Sequence, residues 1–421
     1  MHELMTELFP ICRSITGDGM RQTFEILSSR LPLEITEVAT GTPVLDWTVP
    51  REWNIRDAYV KDLSGRRVVD FRRSNLHVAS YSVPVRARVR LAELKEHVFT
   101  LPEQPDVIPY RTTYYAERWA FCMSERQLAS LRDAEYDVCI DSSLADGSLT
   151  YAEVLLPGIV PEEVLISAHA CHPSLANDNL SGVVLATFLA KHLMSLRLRY
   201  SYRFLFAPGT IGSITWLARN ERALQRIRHG LVVACVGDSG AFTYKRSRRG
   251  NSDVDRAVAL ALRESGEPHE LVDFSPFGYD ERQYCSPGFD LPVGCLSRTP
   301  HGRFPQYHNS ADDLDFVAPR EIARSLSMFL RVIDVLERDR RHQSLNPKGE
   351  PQLGRRGLYP SVGGGDAGTR QLALLWVMNL SDGGHSLMDI AERSRLPFDA
   401  VHRAALDLTE HDLLQVLPDE S

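Results

Sequence analysis

The sequence of 421 residues lacks features that would assign it to a specialised class of protein. Its seven cysteines are scattered and never form a CxxC pair, which argues against a disulfide framework and against a cysteine-rich zinc module. It has no run of about 18 apolar residues, and the N-terminal segment carries acids instead of a basic stretch followed by an apolar one. We therefore expect a cytoplasmic protein without a membrane-spanning helix.

Acidic residues outnumber basic residues, which gives the chain a formal net charge of -7. This balance gives no electrostatic reason to expect a nucleic acid or an anionic membrane as the partner. What remains is an ordinary globular composition, with 43% hydrophobic and 24% charged residues. The length predicts two or three domains, at about 150 residues per domain.

One stretch combines a strand with several side chains that bind metals. Val164 to Ile166 form a short apolar run that predicts a buried strand, and His169, His172 and Asp178 follow in the polar segment beyond it. Open α/β sheets bind their ligands at the C-terminal ends of the strands. Imidazoles and a carboxylate that converge there form a minimal ligand set for zinc. The residues alone leave open that both histidines are ordinary hydrogen-bonded loop residues.

Strands and helices alternate through the middle of the chain. Apolar segments predict strands at 202–207 and 231–236 and a helix at 317–336, for which Ser310 or Asp312 would be the N-cap. This alternation predicts an α/β fold with a mixed, largely parallel sheet flanked by helices.

Two other regions differ from this pattern. Residues 42–109 contain short β-like pieces separated by proline and glycine, which predict a small inserted β-rich domain. Residues 341–366 are polar and rich in proline and glycine, as in a linker, and residues 367–421 carry the helical spacing of a winged-helix domain. Between Arg370 and Gln415 there are four arginines and seven acidic residues. We therefore interpret this domain as a packing or dimerisation module, which would make the protein a homo-oligomer, and not as a DNA-binding module.

The segment AHACHPSLANDNLSG, residues 168–182, resembles the zinc aminopeptidase superfamily, in which a strand and a metal-binding histidine precede an aspartate in a GANDNASG-like loop. Nearly the whole chain is similar to the bacterial proteins with an aminopeptidase-like domain, a family often encoded near polysaccharide or natural-product biosynthesis genes. The resemblance implies an aminopeptidase-like α/β domain over 1–41 and 110–340, the inserted β-rich domain over 42–109, the linker over 341–366, and the winged-helix domain over 367–421.

The resemblance also implies a set of metal ligands. His169 and Asp178 match its first motif, and His308, in the YHNSADDLD segment, resembles the last metal-binding histidine of the superfamily. Asp238, in GDSG at the end of a predicted strand, is implied as a further ligand, although a turn aspartate that bonds to its own backbone is an equal alternative. His172 is either another ligand or a residue that orients His169. The implied cofactor is zinc, as one or two ions.

The sequence departs from the superfamily at Gly209 and Thr210. The aminopeptidases carry two adjacent glutamates at this point, of which one is the general base and the other a metal ligand. Neither glycine nor threonine can accept a proton as a carboxylate does. The resemblance therefore leaves the identity of the base open.

The loop FGYDERQYCSPG, residues 277–288, offers substitutes for these groups. It is dense in acids and aromatic residues and precedes a predicted strand, so it falls near a sheet edge, where functional loops gather. Asp280 or Glu281 is a candidate for the catalytic base, and Arg282 or Tyr284 for binding a substrate carboxylate or an oxyanion. A buried structural pair of aspartate and arginine is the alternative.

Together these features predict a zinc-dependent amide or peptide hydrolase that acts on a small aminoacylated or peptidyl substrate, in natural-product or polysaccharide biosynthesis. The alternative is a non-hydrolytic metal-binding or scaffold protein of the same fold, which Gly209 and Thr210 favour. A transcription regulator is a third hypothesis and depends on the winged helix alone. The expected partner is a small molecule or a peptide, and neither a nucleic acid nor a membrane.

Overall fold

The computed structural model describes residues 1–358 and 367–418. The strands are β1 Glu34–Ala39, β2 Pro43–Val44, β3 Trp47–Thr48, β4 Glu52–Lys61, β5 Arg67–Asp70, β6 Val85–Arg90, β7 Val98–Phe99, β8 Phe121–Cys122, β9 Glu135–Ala145, β10 Ser148–Leu156, β11 Glu163–His169, β12 Ser201–Ala207, β13 Ile227–Val233, β14 Phe242–Lys245, β15 His269–Val272, β16 Val293–Ser297, β17 Arg341–Ser344, β18 Asp382–Ser386 and β19 Leu414–Val416.

The α-helices are α1 His2–Leu8, α2 Asp18–Ser28, α3 Leu91–Glu96, α4 Glu125–Ala129, α5 Ser181–Leu193, α6 Ile211–Asn220, α7 Asp253–Ser265, α8 Glu281–Tyr284, α9 Pro319–Arg338, α10 Ala367–Leu380, α11 Leu387–Ser394 and α12 Phe398–Glu410. Within the described part of the chain, none of these helices has both the length and the apolar character that crossing a bilayer requires. The chain divides into two compact units, residues 1–250 with 268–327, and residues 251–267 with the chain from 328 onward.

Eight strands of the first unit form its main sheet, in the order β1-β10-β12-β11-β13-β16-β14-β15. β11 pairs in parallel with β12 and β13, and β13 pairs in parallel with β16. β1, β10 and β14 add antiparallel pairings. Every residue of β11 is buried, as expected for a strand whose two faces are both covered. The predicted mixed α/β fold is therefore confirmed.

Helix α5 follows β11 and leads to its parallel neighbour β12. Parallel strands need such a crossover connection, and nearly every side chain of α5 is buried because its sequence, SGVVLATFLAKHL, is apolar almost all round. The turn between β11 and α5 is consequently fixed at the C-terminal edge of the sheet. This is the edge at which α/β proteins bind ligands.

A second sheet of the first unit has four antiparallel strands in the order β5-β4-β9-β6. Val60, Phe121 and Tyr136 belong to its buried core. The β-rich domain was predicted over 42–109, but this sheet extends to Ala145, because β9 lies between β4 and β6 and pairs with both. The pairing partner of a strand is a long-range property that its own sequence does not specify.

The second unit contains the winged helix that was predicted from helical spacing. Helices α10, α11 and α12 accompany a small sheet of order β18-β17-β19. Ser386 and Asp389 form a reciprocal capping box at the start of α11. The predicted linker, 341–366, begins with β17, which pairs with both other strands of this sheet. Residues 359–366 of that linker lie outside the described residues.

Candidate metal centre

Four of the predicted metal ligands meet at the C-terminal edge of the main sheet. β11 ends at His169, and the chain then turns through His172 and the irregular segment Ala176–Leu180, which contains Asp178, before α5 begins. His308 comes from the loop between β16 and α9. The side chains of His169, His172 and Asp178 are 2%, 6% and 3% exposed, whereas His308 is 28% exposed and marks the open side of the cluster.

Asp178 lies at the centre of this cluster. Its Oδ1 is 3.0 Å from His169 Nε2, and its Oδ2 is 3.0 Å from His308 Nε2 and 3.4 Å from His172 Nδ1. Two ligand atoms that share a tetrahedral zinc ion, each about 2.0–2.1 Å from it, lie about 3.3 Å apart. Each of the three separations from Asp178 suits two ligands of one ion, with His169 on the Oδ1 side of the carboxylate and His172 and His308 on the Oδ2 side.

Two atoms of the cluster are left without hydrogen-bond partners. Asp178 Oδ2 and His308 Nε2 are both buried and make no hydrogen bond, although they are close together. An unpaired buried polar atom is costly, and a metal ion would satisfy both at once. His169, His172 and Asp178 also place one ligand atom each within 4.8 Å of the others. The residues present therefore fit a divalent metal ion.

The electrostatics of the cluster suit metal binding as well. Burial lowers the pKa of His169 to about 4 and also lowers the pKa of His308, so both imidazoles are neutral at pH 7 and keep a lone pair. Burial opposes ionisation of Asp178, but the neighbouring His172 and the hydrogen bond from His169 hold its pKa well below the ordinary value. The centre therefore offers one carboxylate and the two uncharged imidazoles of His169 and His308, which are the forms that bind zinc. Burial opposes protonation of His172, but the Asp178 carboxylate raises its pKa, so this imidazole gives up its proton when it binds a metal.

Two residues with no predicted role here hold the ligands in place. Asp312 accepts hydrogen bonds from the backbone N–H groups of Asn177 at 2.6 Å and Asp178 at 2.9 Å. Asn179 Nδ2 lies 3.3 Å from His169 Nδ1 and donates to the His169 carbonyl at 3.2 Å. Asp312 was predicted as a helix cap, but α9 begins only at Pro319. The position of Asn179 inside the ANDN motif was the signal for its role.

The loop between β7 and β8 contributes Tyr110 to the same centre. Its ring packs edge-on against His172 and His308, with centroids 5.2 and 5.1 Å away. The Tyr110 N–H donates to the His308 carbonyl at 2.8 Å, and His308 has a φ of 57°, a left-handed conformation that costs a non-glycine residue energy. This backbone bond helps to hold His308 in position. No sequence pattern predicted the contacts of the Tyr110 ring with the two histidines.

Asp238, the other implied ligand, is not brought into the cluster. Its Oδ1 accepts from Thr299 Oγ1 at 2.6 Å and from the Gly240 N–H at 2.7 Å, and its Oδ2 accepts from Asn177 Nδ2 at 3.0 Å. These contacts match the alternative of a turn aspartate bonded to nearby backbone. They link the turn after β13 to the segment that carries Asp178.

The predicted bases Asp280 and Glu281 are both buried but differ in their partners. Asp280 Oδ1 accepts from Ser213 Oγ at 2.8 Å, whereas Oδ2 has no hydrogen-bond partner, and burial raises the pKa of Asp280 to about 7. Glu281 Oε1 pairs with Lys245 Nζ at 2.8 Å, and the carboxylate also accepts from the Tyr279 N–H. Only Asp280 thus keeps an oxygen available for a proton.

The two predicted substrate-binding residues lie in different environments. Arg282 is exposed. Tyr284 is fully buried, and its hydroxyl shares a hydrogen bond of 2.7 Å with Ser167 Oγ of β11. Tyr284 is therefore part of the packing of the sheet, and the predicted pair of a buried aspartate with Arg282 is not formed.

Tyr279, which precedes Asp280, packs directly against the cluster of candidate metal ligands. Its ring centroid is 4.0 Å from that of His169, and its hydroxyl is 3.4 Å from His172 Nε2 and 3.6 Å from Cys171 Sγ. The Gly209 N–H donates to the same sulfur at 3.3 Å. The sequence placed Tyr279 in the acid-rich loop, but no pattern predicted its contact with His169.

A cavity of about 600 Å³ lies next to Cys235, and none of the four candidate ligands lines it. Cys235 lines it and lies with its Sγ 4.0 Å from Asp178 Oδ1, and the ion pair of Lys245 and Glu281 belongs to its wall. Phe277 and His301 also line it. Its volume is in the range of pockets that bind small molecules.

Similar folds occur among solved aminopeptidases. A zinc aminopeptidase from Bacillus subtilis is similar with a TM-score of 0.58 and 13% identity, over 80% of this chain and 93% of that one. An M28 peptidase precursor from Shewanella amazonensis gives a TM-score of 0.56 and 14% identity, over 80% and 92% of the two chains. The fold of this chain is therefore that of the zinc aminopeptidases.

The family itself is defined by closer similarity. Residues 2–339 match a model described as a domain of unknown function, DUF4910, and residues 340–416 match a winged helix-turn-helix model. A Clostridium acetobutylicum protein, provisionally named a polysaccharide biosynthesis protein with aminopeptidase-like domain, is 50% identical over 418 residues, covering 99% of this chain and 96% of its own. A crystal structure from that organism, provisionally called a peptidase, has a TM-score of 0.94, 50% identity, and coverage of 99% and 96%. The chain belongs to the DUF4910 family.

Proposed function

We propose that the protein is a zinc-dependent amide or peptide hydrolase. The observation that carries the proposal is the carboxylate of Asp178 among the imidazoles of His169, His172 and His308, with two of the facing atoms left unpaired. These four residues would hold the ion. Zinc bound there would act as a Lewis acid that polarises a scissile carbonyl and acidifies water.

The surrounding residues would position the ligands and manage protons. Asp312 fixes the backbone of Asp178, and Asn179 fixes the ring of His169, so the ligand geometry exists before an ion arrives. Asp280 suits the role of proton acceptor and donor, because its pKa of about 7 permits both forms at neutral pH and Oδ2 is unpaired. Glu281 does not suit this role, because Lys245 binds its carboxylate.

We further propose a small aminoacylated or peptidyl substrate. The cavity beside Cys235 is large enough for a group of that size and is walled by Lys245 and Glu281. The name of the Clostridium relative favours a substrate from polysaccharide biosynthesis. We also propose that the enzyme acts in the cytoplasm and that the winged helix serves packing or dimerisation, without a nucleic acid or membrane partner.

One observation favours the second candidate, a metal-binding or scaffold protein without hydrolase activity. Gly209 and Thr210 supply no carboxylate after β12, so a base has to come from elsewhere. The hydrolase and a metal-binding protein without activity differ only in turnover, whereas a scaffold does not require the metal. Metal content therefore has to be measured before activity.

The test starts with protein purified without chelator, in which zinc is measured by elemental mass spectrometry. Bound zinc that is lost in Asp178→Ala and His308→Ala variants is the expected result, followed by turnover of aminoacyl amides, peptides or N-acyl sugars. Bound zinc without turnover of any of these substrates would favour the scaffold. A protein that neither contains zinc nor takes it up would refute the hydrolase and the metal-binding protein and leave a scaffold without metal.

A further inference from the structure

The space in which a side chain at position 209 would lie is already filled. A Cβ added to Gly209 would be 1.9 Å from Tyr279 Cε1 and 2.3 Å from the Tyr279 hydroxyl. No real Cβ contact is that short, so Gly209 and Tyr279 are matched: the ring fits only because residue 209 has no side chain. The phenol thus stands where the resemblance implies a carboxylate.

Tyr279 also reaches the metal cluster from this side. Its ring lies on His169, and its hydroxyl lies near His172 Nε2 and Cys171 Sγ. A second ion on this side of Asp178 would need the volume that the ring occupies. It would also need a ligand on that side, and neither Gly209 nor Thr210 supplies a carboxylate there.

The other ligand implied for a two-ion centre is committed elsewhere. Both oxygens of Asp238 accept hydrogen bonds, from Thr299 and Gly240 on one oxygen and from Asn177 on the other. Turning Asp238 towards the histidines would leave these buried donors without partners, at a cost of about 1–3 kcal/mol for each. Asp238 is thus held away from the centre by a network that is satisfied as it stands.

The net charge of the site also disfavours a second metal ion. The cluster of Asp178 with three histidines contributes one negative charge, which already leaves an excess of one positive charge when a divalent ion binds. A second divalent ion would raise the excess to three in a largely buried site. Uncompensated buried charge is among the most costly arrangements in a protein.

We infer that Tyr279 closes the second metal subsite, so that this centre binds a single divalent ion. The inference rests on the proposed function, because it requires that the centre binds metal. It assigns Tyr279 a role as a residue that determines the metal count. Gly209 is the complementary residue, since any side chain there would displace the ring.

The experiment is a zinc titration of the full-length protein with elemental analysis after removal of free metal. One zinc per chain is expected for the wild type and for Tyr279→Phe, in which the ring still fills the space. The double variant Gly209→Glu with Tyr279→Ser opens the space and restores a carboxylate, so two zinc ions per chain are expected. Asp178→Asn is the control for zinc bound outside the centre.

The outcomes separate this inference from the proposed function. Two ions in the wild type would overturn the inference and leave the metal hydrolase intact, and no ion would overturn the proposed function itself. A double variant that is folded by circular dichroism and still binds one ion would show that Tyr279 does not set the count. Anomalous zinc scattering from crystals of the wild type tests the count without any variant, with one peak expected at Asp178 and two peaks refuting the inference.

Discussion

Replacing Asp178 by asparagine removes the one carboxylate among the four candidate metal ligands at nearly constant volume. We expect zinc affinity to fall by at least about 100-fold, because even residues that only support a ligand are worth about 10- to 100-fold. This corresponds to about 2.8 kcal/mol or more of binding free energy. Asp178 faces His169, His172 and His308 at 3.0 to 3.4 Å, so no other side chain in the cluster can take its place.

Asp238→Asn is the matched control, because the resemblance implies Asp238 as a ligand and the structure does not bring it to the histidines. Zinc affinity should change by less than about threefold. The new amide group would face Asn177 Nδ2, donor against donor, so the free energy of unfolding should fall by about 1–3 kcal/mol. The two variants therefore separate metal affinity from stability.

The assay is competition for zinc with a chromophoric chelator, alongside urea unfolding of the same preparations without metal. An Asp238→Asn variant that loses as much zinc affinity as Asp178→Asn would refute the assignment of the ligand set. It would mean that Asp238 turns to the ion when zinc binds. Unchanged zinc affinity in Asp178→Asn would refute the centre altogether.

Three further predictions concern other groups. Burial raises the pKa of the Asp280 carboxyl to about 7, so its contribution to stability, about 4 kcal/mol, is complete below about pH 4 and is lost as the pH rises through 7. Asp280→Asn should flatten this dependence of the unfolding free energy on pH, as measured by urea unfolding. An Asp280→Asn variant that keeps the wild-type pH dependence would refute the prediction. Turnover should rise over the same pH range and be lost in that variant. Lys245→Met should lower the free energy of unfolding by about 3–5 kcal/mol, because it leaves the Glu281 carboxylate buried and unpaired. Adding Glu281→Gln should recover part of this loss. No recovery would mean that the buried charge of Glu281 is not the cause. Fluorescence anisotropy at low salt should detect no binding of duplex DNA, and an affinity that falls steeply with salt would contradict the assignment of the winged helix to packing.

Much of the fold was predictable because its signals are local. The apolar run that ends at His169 becomes the fully buried β11, and the apolar helix after Asp178 becomes α5. The extent of the second sheet was not predictable in this way. Strand β9 has the burial alternation of a sheet strand, but only the fold decides that it pairs with β4 and β6.

In the candidate site, too, some residues could be predicted from local motifs and others could not. His169, Asp178 and His308 stand in motifs, whereas the positions of Asp238 and Tyr279 depend on partners far away in the chain, namely Thr299 and Gly209. A sequence displays the chemical type of each residue. It does not display which buried donors have already been satisfied by another residue, and that decides whether a carboxylate is free to bind a metal.

The backbone bond from Tyr110 to His308 ties the loop between β7 and β8 to the candidate metal centre. The loop that carries Tyr110 is flanked by β7 and β8, which pair with each other, and Phe121 of β8 belongs to the buried core of the second sheet. Changes in loop length there would therefore be transmitted to a candidate metal ligand nearly 200 positions later. The segment from β7 to β8 therefore cannot diversify as a free appendage. In protein engineering, grafting or trimming this region would have to preserve the segment around Tyr110 as strictly as the histidines themselves.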